Sequence, residues 1–108
     1  MTATEKLNAL KMNLQLLTAT QDEYLGLLLD AAAANMARQG IRDDGSADYE
    51  MCQVDYAAYL YRKRAANTAE NAGKSAFSPG GGGTAMPRFL RYNLNNLLAS
   101  QHIQEAQR

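Results

Sequence analysis

The sequence predicts an all-α fold, a compact bundle of about four helices with a long Gly-rich loop before the last one. Three observations predict it. Ala (19) and Leu (14) dominate while Ile (2) and Val (1) are nearly absent, so unbranched helix formers far outnumber β-branched residues. Apolar residues recur at three- and four-residue intervals in four stretches, each bounded by cap or turn residues. The length, 108 residues, suits one domain with a single modest core.

The first helix is expected over residues 5–17, where Leu7, Leu10, Leu14 and Leu17 form one narrow stripe. Thr2 and Glu5 have the spacing of a capping box. Thr20 and Glu23 repeat that spacing and open a second helix over residues 21–39, with Gly40 as its C-cap. At 1.5 Å per residue it spans about 29 Å, the width of a small domain. Leu25, Leu28, Leu29, Ala32 and Met36 make its main apolar face. Leu27, Ala31, Ala34 and Ala37 cover much of the other side, which predicts a central helix buried on most sides.

Residues 41–47 read as a turn-rich connector, with Ser46 or Asp48 capping a third helix over residues 47–66. This helix carries two stripes. Met51, Val54, Ala58, Tyr61 and Ala65 line one, while Tyr49, Cys52, Tyr56 and Tyr59, ending in Lys63, line a side roughly opposite. The tyrosine stripe fits either a contact surface for another chain or a helix sandwiched between its own neighbours. From residue 67 to 85 the pattern stops, and five of the eight glycines gather at Gly73, Gly80, Gly81, Gly82 and Gly83 beside Ser78 and Pro79. A loop of that length is unusual in a compact domain and points to function or disorder. Pro87 suits the first turn of a fourth helix over residues 87–101, with Leu90, Leu94, Leu97 and Leu98 as its stripe. Residues 102–108 are polar and are expected to fray.

Composition also narrows the function classes. The longest apolar run, around residues 25–34, is interrupted by Gly26 and Asp30 and is far below the roughly 20 residues of a membrane span. Glu5, Lys6 and Lys11 near the N-terminus do not fit a secretory signal. The single cysteine, Cys52, excludes an intrachain disulfide and suits a reducing compartment. Eleven basic and eleven acidic side chains balance, which argues against a dedicated polyanion binder.

Motifs with chemical content fail on context. Gly73-Lys74-Ser75 resembles the end of a phosphate-binding loop, but Thr68 stands where that motif needs glycine. Gly80, Gly82 and Ala85 match a dinucleotide fingerprint without the preceding strand. Asp44, Ser46, Asp48 and Asp55 fall at calcium-loop spacing, yet Tyr49 occupies the position of the obligatory glycine. His102 is the sole histidine and has no nucleophile at readable spacing, and with Cys52 alone it makes no zinc site. No catalytic residue, cofactor or metal is expected, and the chain is read as a non-enzyme. Arg62, Lys63 and Arg64, with Arg88 and Arg91, are the only basic concentration, and the first three would complement the dipole of a helix ending near residue 66. Charge is nonetheless split along the chain. Residues 1–54 hold 8 acids and 4 bases, net −4, and residues 55–108 hold 3 acids and 7 bases, net +4. Opposite charges on two surfaces suit head-to-tail contacts, which close into rings when the rotation permits.

In order, these segments resemble the small head–tail connector (adaptor, head-completion) proteins of long-tailed bacteriophages and prophages. A short leading helix precedes Asp22-Glu23-Tyr24-Leu25-Gly26-Leu27-Leu28-Leu29-Asp30-Ala31-Ala32, similar to that family's DDELLLLLIEAA-like second helix. Asp48-Tyr49-Glu50-Met51 then leads into Ala57-Ala58-Tyr59-Leu60-Tyr61-Arg62-Lys63-Arg64, similar to an AAAYLYNRR segment. A Gly/Ser-rich loop and Met86-Pro87-Arg88-Phe89-Leu90-Arg91, similar to an LPxSLRRLL ending, complete the series. The four consecutive glycines depart from the pattern, because the family's loops vary.

The resemblance implies a structural virion protein, residues 1–108 forming a single helical connector domain. Its copies would form a ring, of twelve subunits when assembled to match the portal's symmetry. The ring would dock beneath the portal protein, extend the DNA channel for transient passage of double-stranded DNA, and meet the next head-completion (stopper) or tail protein. The location implied is the head–tail junction of the virion, and the host cytoplasm during assembly, with no membrane partner. Expected subunit-interface residues are Tyr49, Tyr56, Tyr59, Asp43, Asp44, Arg62, Arg64, Arg88 and Arg91. Ser78, Pro79, Gly80, Gly81, Gly82 and Gly83 would form a channel or assembly loop, and Leu98, Gln101, His102 and Ile103 would contact the portal. Two competing readings are a small helical nucleic-acid-binding packaging or regulatory protein using the arginines, and a helical interaction module that forms a discrete dimer.

Overall fold

The structure is a computed structural model and describes residues 1–16, 18–73 and 86–106, without the side chains of residues 66–73 and 104–106. It contains four helices and, among the described residues, no strand: α1 (Ala3–Leu14), α2 (Asp22–Arg38), α3 (Ala47–Gly73) and α4 (Arg88–Ala106). The all-α expectation is met.

Helix α1 opens with the expected capping box. The Glu5 N–H donates to Thr2 Oγ1 at 3.1 Å and the Thr2 N–H donates to Glu5 Oε1 at 2.7 Å. The helix stops at Leu14, because Gln15 turns left-handed (φ 60°); Leu17, the expected last residue, lies outside the described residues. The Leu16 N–H then returns to the Lys11 carbonyl at 2.9 Å, and Leu16 folds back against the core. Placing a non-glycine residue in that region costs about 1–2 kcal/mol, which the burial of Leu16 helps offset.

The second expected capping box does not form. The N-cap of α2 is Gln21, which makes no side-chain cap bond, so Thr20 sits one residue too early. Asp22 instead pairs across to Lys11 at 2.9 Å. The C-terminus of α2 follows the expectation. Gly40 is left-handed (φ 91°), its N–H donates to the Ala37 carbonyl at 3.0 Å, and the Ile41 N–H donates to the Met36 carbonyl at 2.9 Å. That pair of bonds is a Schellman cap, and Met36 and Ile41 are both buried beside it.

Ser46 caps α3, its Oγ accepting from the Tyr49 N–H at 3.1 Å. Helix α3 runs seven residues past the expected end, and Gly73 is its last described residue. Residues 67–72 contain neither Gly nor Pro, so nothing in that stretch breaks the helix. With 27 residues it is about 40 Å long. Two expectations change as a result. Residues 67–73 are helix rather than loop, and Arg62, Lys63 and Arg64 lie inside α3 instead of at its C-terminal dipole. Residues 74–85, including Ser78, Pro79 and Gly80 to Gly83, lie outside the described residues.

Helix α4 begins just after Pro87, whose carbonyl accepts the Arg91 N–H at 3.1 Å. It continues to Ala106, so residues 102–106 are helical where fraying was expected.

Helix α3, not α2, is central. It packs against α1, α2 and α4, whereas α4 packs principally against α3. Tyr49, Cys52, Gln53, Val54, Tyr56, Ala57 and Ala58 are all buried, so both stripes of its first half are covered within the chain except at Met51, which is 53% exposed. Around them sit Leu10 of α1, Leu25, Leu28, Leu29, Ala32 and Met36 of α2, and Leu90, Leu94 and Leu97 of α4.

Candidate interaction surface

Helix α4 has two apolar faces at helical spacing. Leu90, Leu94, Leu97 and Gln101 point into the core. Phe89, Tyr92, Ala99 and Ile103, at intervals of three, seven and four, share the other face. Phe89 is 56% exposed, Tyr92 67% and Ile103 58%. Arg88 lies on the same face and Arg91 at its edge, both exposed and without an ion pair among the described residues. Residues 71–104 contain no acidic side chain, so this face is apolar and purely basic.

The inward face is held by Gln101. Its Oε1 accepts the Arg42 N–H at 2.8 Å, while its Nε2 donates to the Arg42 carbonyl at 2.7 Å and to Asp44 Oδ2 at 3.2 Å. Asp44 Oδ1 in turn accepts from the Ser46 N–H at 3.0 Å and from the Ser46 hydroxyl at 2.6 Å. These bonds from Ser46 first, then Gln101, hold the Asp44 carboxyl below its ordinary range. Asp43 accepts from the Gly45 N–H at 3.0 Å. The connector between α2 and α3 is therefore clasped to α4.

Helix α2 also keeps a second face. The expected burial on most sides does not occur: Leu27 is 62% exposed, Ala34 and Ala37 are exposed, and Ala31 is half-buried. The first half of this face is acidic, because Glu23 and Asp30 lie one turn to either side of Leu27 and have no partner among the described residues, while Arg38 stands at its far end. A groove of about 520 Å³ runs between α1 and α2, lined by Lys6, Leu7, Glu23, Gly26, Leu27, Asp30 and Gln53 among others. Gly26 leaves its floor open, since a Cβ there would meet nothing within 4 Å. Gln53 is buried and its Nε2 donates to the Leu29 carbonyl at 3.0 Å, but its Oε1 has no donor.

A second groove, of about 380 Å³, separates the start of α3 from α4 and is lined by Asp48, Met51, Cys52, Asn93, Asn96, Leu97 and Ser100. Burial, then the nearby Asp55 and Asp48 carboxylates, pushes the Cys52 thiol up to about 11, so it stays protonated at neutral pH. Burial likewise raises Asp55, against the opposing pull of Arg62. Among the described residues no three His, Cys, Asp or Glu side chains are grouped to hold a metal. No helix among them is long and apolar enough to cross a membrane.

Several expected interface residues have other tasks. Tyr49 and Tyr56 are core residues and Tyr59 is half-buried, with Tyr56 and Tyr59 stacked edge-on at 6.0 Å. The covered reading of the tyrosine stripe therefore applies to Tyr49 and Tyr56. Arg62 ties α3 to α1, its Nη2 donating to Asn13 Oδ1 at 2.9 Å and to the Asn13 carbonyl at 3.3 Å. Arg64, Arg88, Arg91, Asp43 and Asp44 remain on the surface. Of the expected portal contacts, Gln101 is 1% exposed and committed to the connector, and Leu98 is half-buried near Gly40. His102 and Ile103 are exposed. Sequence reasoning missed Phe89, Tyr92 and Leu27 as surface residues. The signal for the first two was available as a second stripe on α4 ending at Ile103.

Compared with protein-family models, curated proteins and solved structures, the chain matches none.

Proposed function

We propose that this chain is a head–tail connector subunit of a long-tailed phage or prophage, a structural protein that assembles as a ring beneath the portal. The observation that carries the reading is a pair of uncovered helix faces of opposite charge, acidic on α2 and basic on α4, in a chain whose segments follow the connector order. A domain of this size with two such faces has a surface suited to repeated association rather than to a small substrate. In the ring, the subunits extend the DNA channel and offer a surface to the stopper or tail protein. Zero net charge suits a channel through which DNA passes without tight phosphate contacts.

A specific observation also favours a nucleic-acid reading. Phe89 and Tyr92 stand exposed beside Arg88 and Arg91, the combination on which unpaired bases stack. Co-sedimentation with tail-less, DNA-filled heads across a salt series separates the two. A connector binds portal-bearing heads and ignores free DNA. Binding to naked DNA that collapses steeply with salt overturns the connector reading in favour of the nucleic-acid one.

A further inference from the structure

We infer that the outer face of α4 in one copy seats in the α1/α2 groove of a second copy, a head-to-tail contact through which the chain propagates. The occupant is named by charge. The α4 face carries Arg88 and Arg91 and no acid, whereas the groove carries Glu23 and Asp30 against the single cation Lys6. None of these four α2 and α4 charges has a partner among the described residues of its own chain.

Spacing agrees with charge. Arg88 stands one turn from Tyr92, and Glu23 and Asp30 stand one turn to either side of Leu27. With Tyr92 set against Leu27, Arg88 meets an acid whichever way the two helices run. Gly26 admits close approach at the groove floor, where its missing side chain leaves open space. Because both helices pack on α3, one copy can offer α4 while receiving on α2. A contact between two different patches repeats and then closes or continues, according to its rotation.

This pairing rests on the ring reading, and cysteine trapping tests it separately. Chains carrying Leu27→Cys or Tyr92→Cys, both at exposed positions, are mixed at high concentration and also loaded on portal-bearing heads. Cys52 is left in place because it is buried and its thiol is protonated. The expected result is a mixed L27C–Y92C disulfide in excess over either homodimer, and a ladder of multimers from the chain that carries both changes. R88E/R91E should lower the yield more than about tenfold, and E23R/D30R in the same chain should restore it. A Y92C homodimer as the main product overturns the pairing in favour of a symmetric α4 contact. So does the absence of any mixed product in both settings. Head binding without the mixed disulfide leaves the connector reading standing and the pairing wrong. The ladder without head binding leaves the pairing standing and the connector reading wrong.

Discussion

Helices α3 and α4 both carry two apolar stripes, yet only α3 has residues of both in the core, with Met51 left exposed. Around Tyr49, Cys52 and Tyr56 on one side and Val54 and Ala58 on the other, α3 is closed by α1, α2 and α4. Helix α4 has one principal neighbour, so Leu90, Leu94 and Leu97 are buried while Phe89, Tyr92 and Ile103 stay in solvent. A doubly apolar helix thus reports how many surfaces it needs covered. It does not report which of them the chain itself supplies.

The comparison is broken most sharply inside α4. Leu90→Ala should cost about 2–5 kcal/mol in urea unfolding, because it empties a fully buried site. Its neighbour Phe89→Ser should stay within about 0.5 kcal/mol of the parent while weakening association. Equal losses of stability would mean that the outer face is covered by the chain after all.

A smaller effect is expected where α4 clasps the connector. Gln101→Leu removes the partners of both Arg42 backbone groups and should cost about 1–3 kcal/mol. Amide exchange at Arg42 should accelerate in the same variant. An unchanged exchange rate would show that the clasp holds nothing.

Two glycines give opposite signs. Gly40→Ala forces a side chain into left-handed backbone and should lose about 1–2 kcal/mol in thermal unfolding. Gly26→Ala enters open space in mid-helix and should gain about 0.5–1 kcal/mol. If α2 receives α4 from a second copy, the same Gly26→Ala change should weaken association while it strengthens the fold.

The smallest effect is one of pH. The Cys52 thiol is raised in the folded state, so its contribution is complete below the ordinary thiol range and is lost as pH climbs toward about 11. Asp44 acts in the other direction, its contribution being lost as pH falls through its lowered value. Urea midpoints measured at pH 7, 9 and about 10.5 should fall across the alkaline step, and less so in Cys52→Ala. A slope identical in parent and variant would remove Cys52 from the account.

Local signals were legible where a residue acts on its own neighbours. The Thr2–Glu5 box, the Gly40 cap and the Ser46 cap all need only a few adjacent residues, and each stands where its spacing places it. Thr20 and Glu23 show the same spacing without the box, because the preceding turn starts α2 a residue later. The extension of α3 to Gly73 was missed because a fading hydrophobic pattern was read as the end of helix, although residues 67–72 contain no residue that breaks backbone bonding.

By itself, the sequence determined an all-α chain, one cap on each of three helices (the start of α1, the end of α2 and the start of α3), and the leucine faces that α1, α2 and α4 turn to the core. These follow from propensity and helical period, which act within a few turns of the backbone. Only the tertiary structure decided that α3 rather than α2 is the hub, that Gln101 turns inward to hold residues 42–44, and that Leu27, Phe89, Tyr92 and Ile103 face solvent. A second apolar stripe looks the same in sequence whether a neighbour covers it or not. Its exposure depends on how many helices reach it, and that number is set by packing.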